Sequence, residues 1–118
     1  MKYMCLIYEN EALTASRSDA DQQAVMSGYM EFTNNVINAG VMVAGDPLLE
    51  TNTATTVRVR DGNTTTTDGP FAETKEQLGG YYILDCKDLD EALGYAAQIP
   101  GAQYGCIEVR PVMDMGGE

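Results

Sequence analysis

Gly80-Tyr81-Tyr82-Ile83-Leu84-Asp85-Cys86 is an apolar run too short for a stable helix, rich in aromatic and branched side chains, and it reads as a β-strand with large side chains on both faces. Directly after it, Asp88 and Glu91 stand at capping-box spacing before a helix that carries Leu89, Ala92, Leu93, Ala96 and Ala97. Pro100 and Gly101 stop that helix. Residues 105–112 then alternate as a strand, with Ile107 and Val109 on one face and Cys106, Glu108 and Arg110 on the other.

Working outward, the amino-terminal half repeats the arrangement. Residues 3–8 are wholly apolar and read as a central strand. Ser18 opens a helix, with Asp21 as its capping partner and Asp19 near the positive end of the dipole. Val25, Tyr29, Phe32 and Val36 lie beside Met26, Met30, Thr33 and Ile37 at helical spacing, and Gly40 is the C-cap. Residues 41–44 read as a strand leading into a Gly45-Asp46-Pro47 turn.

An extra hairpin separates the halves. After a polar loop over residues 50–55, Thr56-Val57-Arg58-Val59-Arg60 alternates, so one of its faces is expected to be buried. Asp61-Gly62-Asn63 is the turn, and threonines 64–67 form an exposed return strand. The order predicts one α+β domain over residues 1–118: a ferredoxin-like βαββαβ sandwich with an added hairpin and both helices on one sheet face. Strands 3–8 and 80–86 are apolar on both faces, and leaving one in water would expose more apolar area than a soluble monomer usually tolerates. A homodimer with facing sheets is therefore expected.

A chain of 118 residues holds one core. Its 18 acidic against 7 basic residues give a charge of −11, which opposes phosphate backbones and anionic lipid, so neither nucleic acid nor a membrane surface is expected as a direct partner. Cys5, Cys86 and Cys106 are odd in number, widely spaced and set among apolar residues, the pattern of buried free thiols in a reducing compartment. With an apolar start far too short to span a membrane and no cleavage-site pattern, the expected location is the cytoplasm. Gly79-Gly80 precede a strand rather than open a helix, and the carboxylates have no metal-ligand spacing, so no cofactor and no metal are expected.

If the valines of residues 56–60 and 106–110 face the helices, Arg58, Arg60, Glu108 and Arg110 face the space between two sheets. A concave, mostly apolar space with a few convergent charges is a small-molecule site, and its arginines favour an anionic metabolite. The same placement lets Arg58, Glu108 and Arg110 pair with one another across strands. Both readings stand at this point.

Residues 56–63 followed by Thr67-Asp68-Gly69-Pro70-Phe71-Ala72-Glu73-Thr74-Lys75-Glu76-Gln77-Leu78-Gly79-Gly80-Tyr81-Tyr82-Ile83 closely resemble the defining segment of the DGPF group of YCII-related proteins. The similarity extends to residues 1–8, 88–93, 99–102 and 105–112. The resemblance implies a ferredoxin-like fold and a dimeric α/β barrel. It also implies a regulatory association with a sigma factor, because relatives are often encoded beside extracytoplasmic-function sigma factors. In the wider family a His-Asp pair near the barrel cavity has been proposed as catalytic, and some relatives are associated with dehydrochlorination. This chain has no histidine, so that proton shuttle does not carry over.

Chemistry then rests on Asp68, Glu73, Lys75 and Glu76, with Tyr8, Asp46 and Arg110 expected to meet them if strand ends converge. Asp68 would be a general base in a buried cavity, with Lys75 or Arg110 holding an anionic substrate. Each also has a structural reading: Asp68 as a turn former, Phe71 as a core plug, residues 73–77 as a solvated face. Two classes of function result, a metabolite binder and a cofactor-independent lyase or isomerase using a carboxylate base.

Overall fold

The computed structural model describes residues 1–116. In chain order its elements are strand β1 (Lys2–Glu9), helices α1 (Glu11–Ala15) and α2 (Asp19–Asn38), strands β2 (Met42–Pro47), β3 (Thr55–Arg60), β4 (Asn63–Asp68) and β5 (Gln77–Asp85), helix α3 (Leu89–Ala96) and strand β6 (Cys106–Pro111). Short 3-10 turns occupy Thr51–Thr53 and Pro100–Gln103.

Local chemistry sets the helix starts. The Ser18 hydroxyl accepts from the Asp21 amide at 3.1 Å. At α3 the Asp88 carboxylate accepts from the Glu91 amide at 2.9 Å, while Glu91 accepts in return from the Lys87 amide at 3.2 Å. Asn10 caps the short α1, which the sequence reading did not anticipate, by accepting from the Ala12 and Leu13 amides.

The main sheet has the order β2-β5-β1-β6, with every pairing antiparallel. This is the ferredoxin-like arrangement, and β1 is central as expected. Its helix-covered face buries Tyr3, Cys5 and Ile7 of β1 with Tyr82, Leu84 and Cys86 in and after β5. Phe32 and Val36 of α2, Ala92 and Ala96 of α3, and Ile99 complete that core. The Phe32 and Tyr82 rings meet edge to face at 4.9 Å. The Tyr82 hydroxyl is 2.9 Å from the Thr33 hydroxyl, so the buried phenol keeps a hydrogen bond.

Four expectations are corrected. Gly45-Asp46-Pro47 is the end of β2, not a turn; β2 is an edge strand, where proline's missing N–H is tolerated. Val57 and Val59 are not buried but 60% and 57% exposed, because β3 pairs with β4 in a separate two-stranded sheet. Phe71 is 78% exposed and plugs no core. Cys5 and Cys86 are buried free thiols as expected, whereas Cys106 is exposed, since alternation puts it on the face away from Ile107.

Candidate functional site

The strand alternation that buries one sheet face sends a second set of side chains to the face no helix covers. The registers align them in rows across the sheet. One row runs Ala44, Ile83, Met4, Arg110; the next runs Asp46, Tyr81, Leu6, Glu108; a third runs Leu78, Tyr8, Cys106. Met4, Leu6, Tyr8, Leu78, Tyr81 and Ile83 are half-buried and form an apolar floor, with ionised groups toward the two edges. Asp46 and Glu108 occupy opposite edges of one row, three strand spacings or about 14 Å apart.

Polar contacts link some of these groups. The Tyr81 hydroxyl donates to Asp46 Oδ2 at 2.7 Å, and that bond to a carboxylate holds the phenol proton and raises the Tyr81 pKa. The Cys106 thiol approaches Glu76 Oε1 at 3.7 Å. Desolvation first, and the Glu76 charge second, raise the Cys106 pKa, so this thiol is not an activated nucleophile.

The face thus brings together Tyr8, Asp46, Glu108 and Arg110 of the residues singled out from sequence. It does not gather the others. Arg58 and Asp68 lie exposed on the β3–β4 hairpin, and Lys75 lies exposed in the connection to β5. The buried setting expected for Asp68 is absent within one chain. Among the described residues Arg58, Glu108 and Arg110 form no ion pair with one another, because Arg58 belongs to a different sheet and both other groups project from one strand. Tyr81 is the residue that sequence reasoning passed over. Its signal was present, since alternation in β5 places Tyr81 and Ile83 opposite Tyr82 and Leu84.

Two depressions are also present, and the first is lined in part by Asp46 and Tyr81 of the sheet. One of about 440 Å³ runs between α2 and the β2–β5 edge, with Met26, Met30 and Met42 on its walls and Gly45 and Gly80 in its floor. Another of about 320 Å³ borders Arg17, whose guanidinium is already held by Glu9 at 2.8 Å and lies over the Tyr104 ring at 4.7 Å. Among the described residues no His, Cys, Asp or Glu cluster is placed to hold a metal, and no helix is long and apolar enough to cross a membrane.

The family model for the YCII-related domain matches residues 1–116, the whole of the sheet, helices and hairpin just described. The chain belongs to the YCII-related family. It is 40% identical over 114 residues to the uncharacterized protein R00369 of Rhizobium meliloti (strain 1021), an alignment covering 95% of this chain and 92% of that one. Among solved structures it resembles 5-chloro-2-hydroxyhydroquinone dehydrochlorinase from Burkholderia phenoliruptrix AC1100, in complex with 2,5-dihydroxybenzoquinone. That likeness has a TM-score of 0.51 at 13% identity and covers 96% of this chain and 94% of the other. At such identity it establishes a shared fold and no shared chemistry.

Proposed function

We propose that this YCII-related protein binds a small anionic metabolite on its open sheet face, enclosed when two copies pair face to face as a dimeric α/β barrel. The observation that carries the reading is the make-up of that face: an apolar floor of Met4, Leu6, Tyr8 and Ile83 with Arg110 beside it, free of any carboxylate partner among the described residues. In a chain of net charge −11, a guanidinium left unpaired next to an apolar floor supports recognition of a carboxylate or phosphate. In this role the protein would act as a sensor, and the sigma-factor association implied by family resemblance would be its output.

A thermal-shift screen of carboxylated and phosphorylated metabolites tests the reading. A hit should lose at least tenfold in affinity in Arg110→Ala and keep its affinity in Lys75→Ala. Equal affinity of Arg110→Ala and wild type would overturn the assignment of Arg110. A monomer by light scattering at micromolar concentration would overturn the enclosed cavity.

A catalytic alternative, a cofactor-independent lyase or isomerase with a carboxylate base, draws on the Tyr81–Asp46 contact. A phenol held at 2.7 Å by a carboxylate can pass a proton to it from a substrate hydroxyl. The substrate class named for the structural neighbour, a chlorinated hydroxyhydroquinone, is the first to try. Chloride release abolished in Asp46→Asn would support this alternative, and saturable binding without product would favour the binder.

A further inference from the structure

The chain exposes far more surface than a compact domain of its mass. A 12.8 kDa monomer is expected to expose about 6,300 Å², yet this chain exposes 8176 Å². The excess is about 1,900 Å² per chain, or about 3,800 Å² for two copies, within the range of obligate homodimer interfaces. The radius of gyration of 16.3 Å likewise exceeds the roughly 13.5 Å expected at this length.

The excess has a visible source. The molecule measures 47 × 46 × 18 Å, thin enough for one helix layer on one sheet, so among the described residues no helix or strand folds back over the open face. The β3–β4 hairpin projects instead. Each of its six-residue strands is about 20 Å long, and its tip is a tight turn with Asp61 and Gly62 at φ 52° and 76°. It is tethered at its base, where the Gly69 amide donates to the Ala54 carbonyl and the Thr56 hydroxyl to the Gly69 carbonyl.

The register sorts the hairpin into two faces. Val57, Val59, Thr64, Thr66 and Asp68 share one; Arg58, Arg60, Thr65 and Thr67 share the other. Two arginines offset two aspartates over residues 55–68, so the hairpin is neutral and the rest of the chain carries the whole −11. Against a strongly acidic second copy, it is the neutral segment, with an uncovered apolar face, that approaches without charge repulsion.

We propose that the hairpin is an exchange arm, whose Val57, Val59 and Asp68 face docks on the open sheet face of a second copy of this chain. The proposal rests on the face-to-face dimer and deepens it. The apolar floor of one copy and the valines of the other cover each other twice about a two-fold axis. Asp68 travels with the valines, so it enters the site of the partner subunit rather than that of its own chain. Arg58 and Arg60 remain in water on the outer side.

Analytical ultracentrifugation of the full chain tests the face assignment. The double variant Val57→Asp with Val59→Asp should weaken dimerisation at least 100-fold while its far-UV circular dichroism is unchanged. Arg58→Lys with Arg60→Lys, which keeps the hairpin neutral, should change it by less than threefold. An independent readout needs no interface-breaking variant: in a Cys106→Ser background, a Val57→Cys thiol should react with a disulfide reagent at 100 μM protein at least tenfold more slowly than an Arg58→Cys thiol on the other face of the hairpin. A dimer of wild-type affinity in the double aspartate variant, or a Val57→Cys thiol that reacts as fast as the Arg58→Cys thiol, overturns the arm and leaves the dimer standing. A wild type that is monomeric at 100 μM overturns both.

Discussion

Thr56-Val57-Arg58-Val59-Arg60 in β3 and Cys106-Ile107-Glu108-Val109-Arg110 in β6 are nearly the same pattern, yet they meet opposite fates. In β6, Ile107 and Val109 align with Ile7 and Cys5 of β1 and pack against the helix-covered core. In β3 the two valines face solvent, because β3 pairs with a strand of threonines that has no helix above it. Alternation states that a strand has a face to be covered. It does not state which element, or which chain, supplies the cover.

The two regions should separate most sharply under substitution at Gly105. A Cβ there would overlap the Tyr8 carbonyl oxygen and crowd the Glu9 Cα, where the chain enters β6 alongside β1. Both neighbours are backbone of the central strand, so neither can move aside cheaply. Gly105→Ala should lower the unfolding free energy by about 3 kcal/mol, read as a lower midpoint in urea at unchanged slope. An unchanged midpoint would mean that the β6 junction is not part of the cooperative core.

A smaller contrast is written in pH. The Tyr29 hydroxyl, beside Gly101 and facing Glu9, is pushed up to about 12 by burial first and by the Glu9 charge second. In the unfolded chain the same phenol ionises near 10. The folded state therefore holds its proton longer, and the stability this supplies is complete below pH 10 and is lost as pH rises toward 12. Cys5, raised to about 11 by burial and then by Cys86, adds an earlier loss from about pH 9 to 11. Tyr29→Phe should make the alkaline decline in melting temperature between pH 10 and 12 shallower. The hairpin holds neither a tyrosine nor a cysteine, so it has no share in this contrast. An identical decline in the variant would remove Tyr29 as its source.

What the sequence made legible was local. The Ser18 and Asp88 caps, the sheet-facing positions of α2 and the central place of β1 all follow from residues within a turn or a strand of one another. Glu108, Arg110 and Tyr8 reach a common face by alternation alone, so that much of the candidate site could be read as well, whereas Asp46 joins them only because β2 continues through it. The failures required long-range knowledge. Gly45-Asp46-Pro47 has turn composition and becomes strand because the edge of β5 is available to it. Phe71 has core composition, yet the connection it sits in packs on nothing that covers it. Cys106 is the exception, since the alternation that places Ile107 inward already places Cys106 outward.

The smallest effect belongs to the arm's tip, where the comparison with Gly105 is most direct. Gly62 also resists an ordinary side chain, but for a different reason: its φ of 76° is left-handed, although an added Cβ would meet nothing within 4 Å. Gly62→Ala therefore strains the turn locally by about 1 kcal/mol without disturbing any packed neighbour. Because the hairpin touches the main sheet so little, that strain should loosen the arm and leave global unfolding in place. The expected result is faster amide exchange over residues 57–67 with a urea midpoint equal to wild type. A midpoint lowered as far as in Gly105→Ala would mean that the hairpin folds as one cooperative unit with the sheet, and the distinction between a finished core and an arm awaiting its cover would fall.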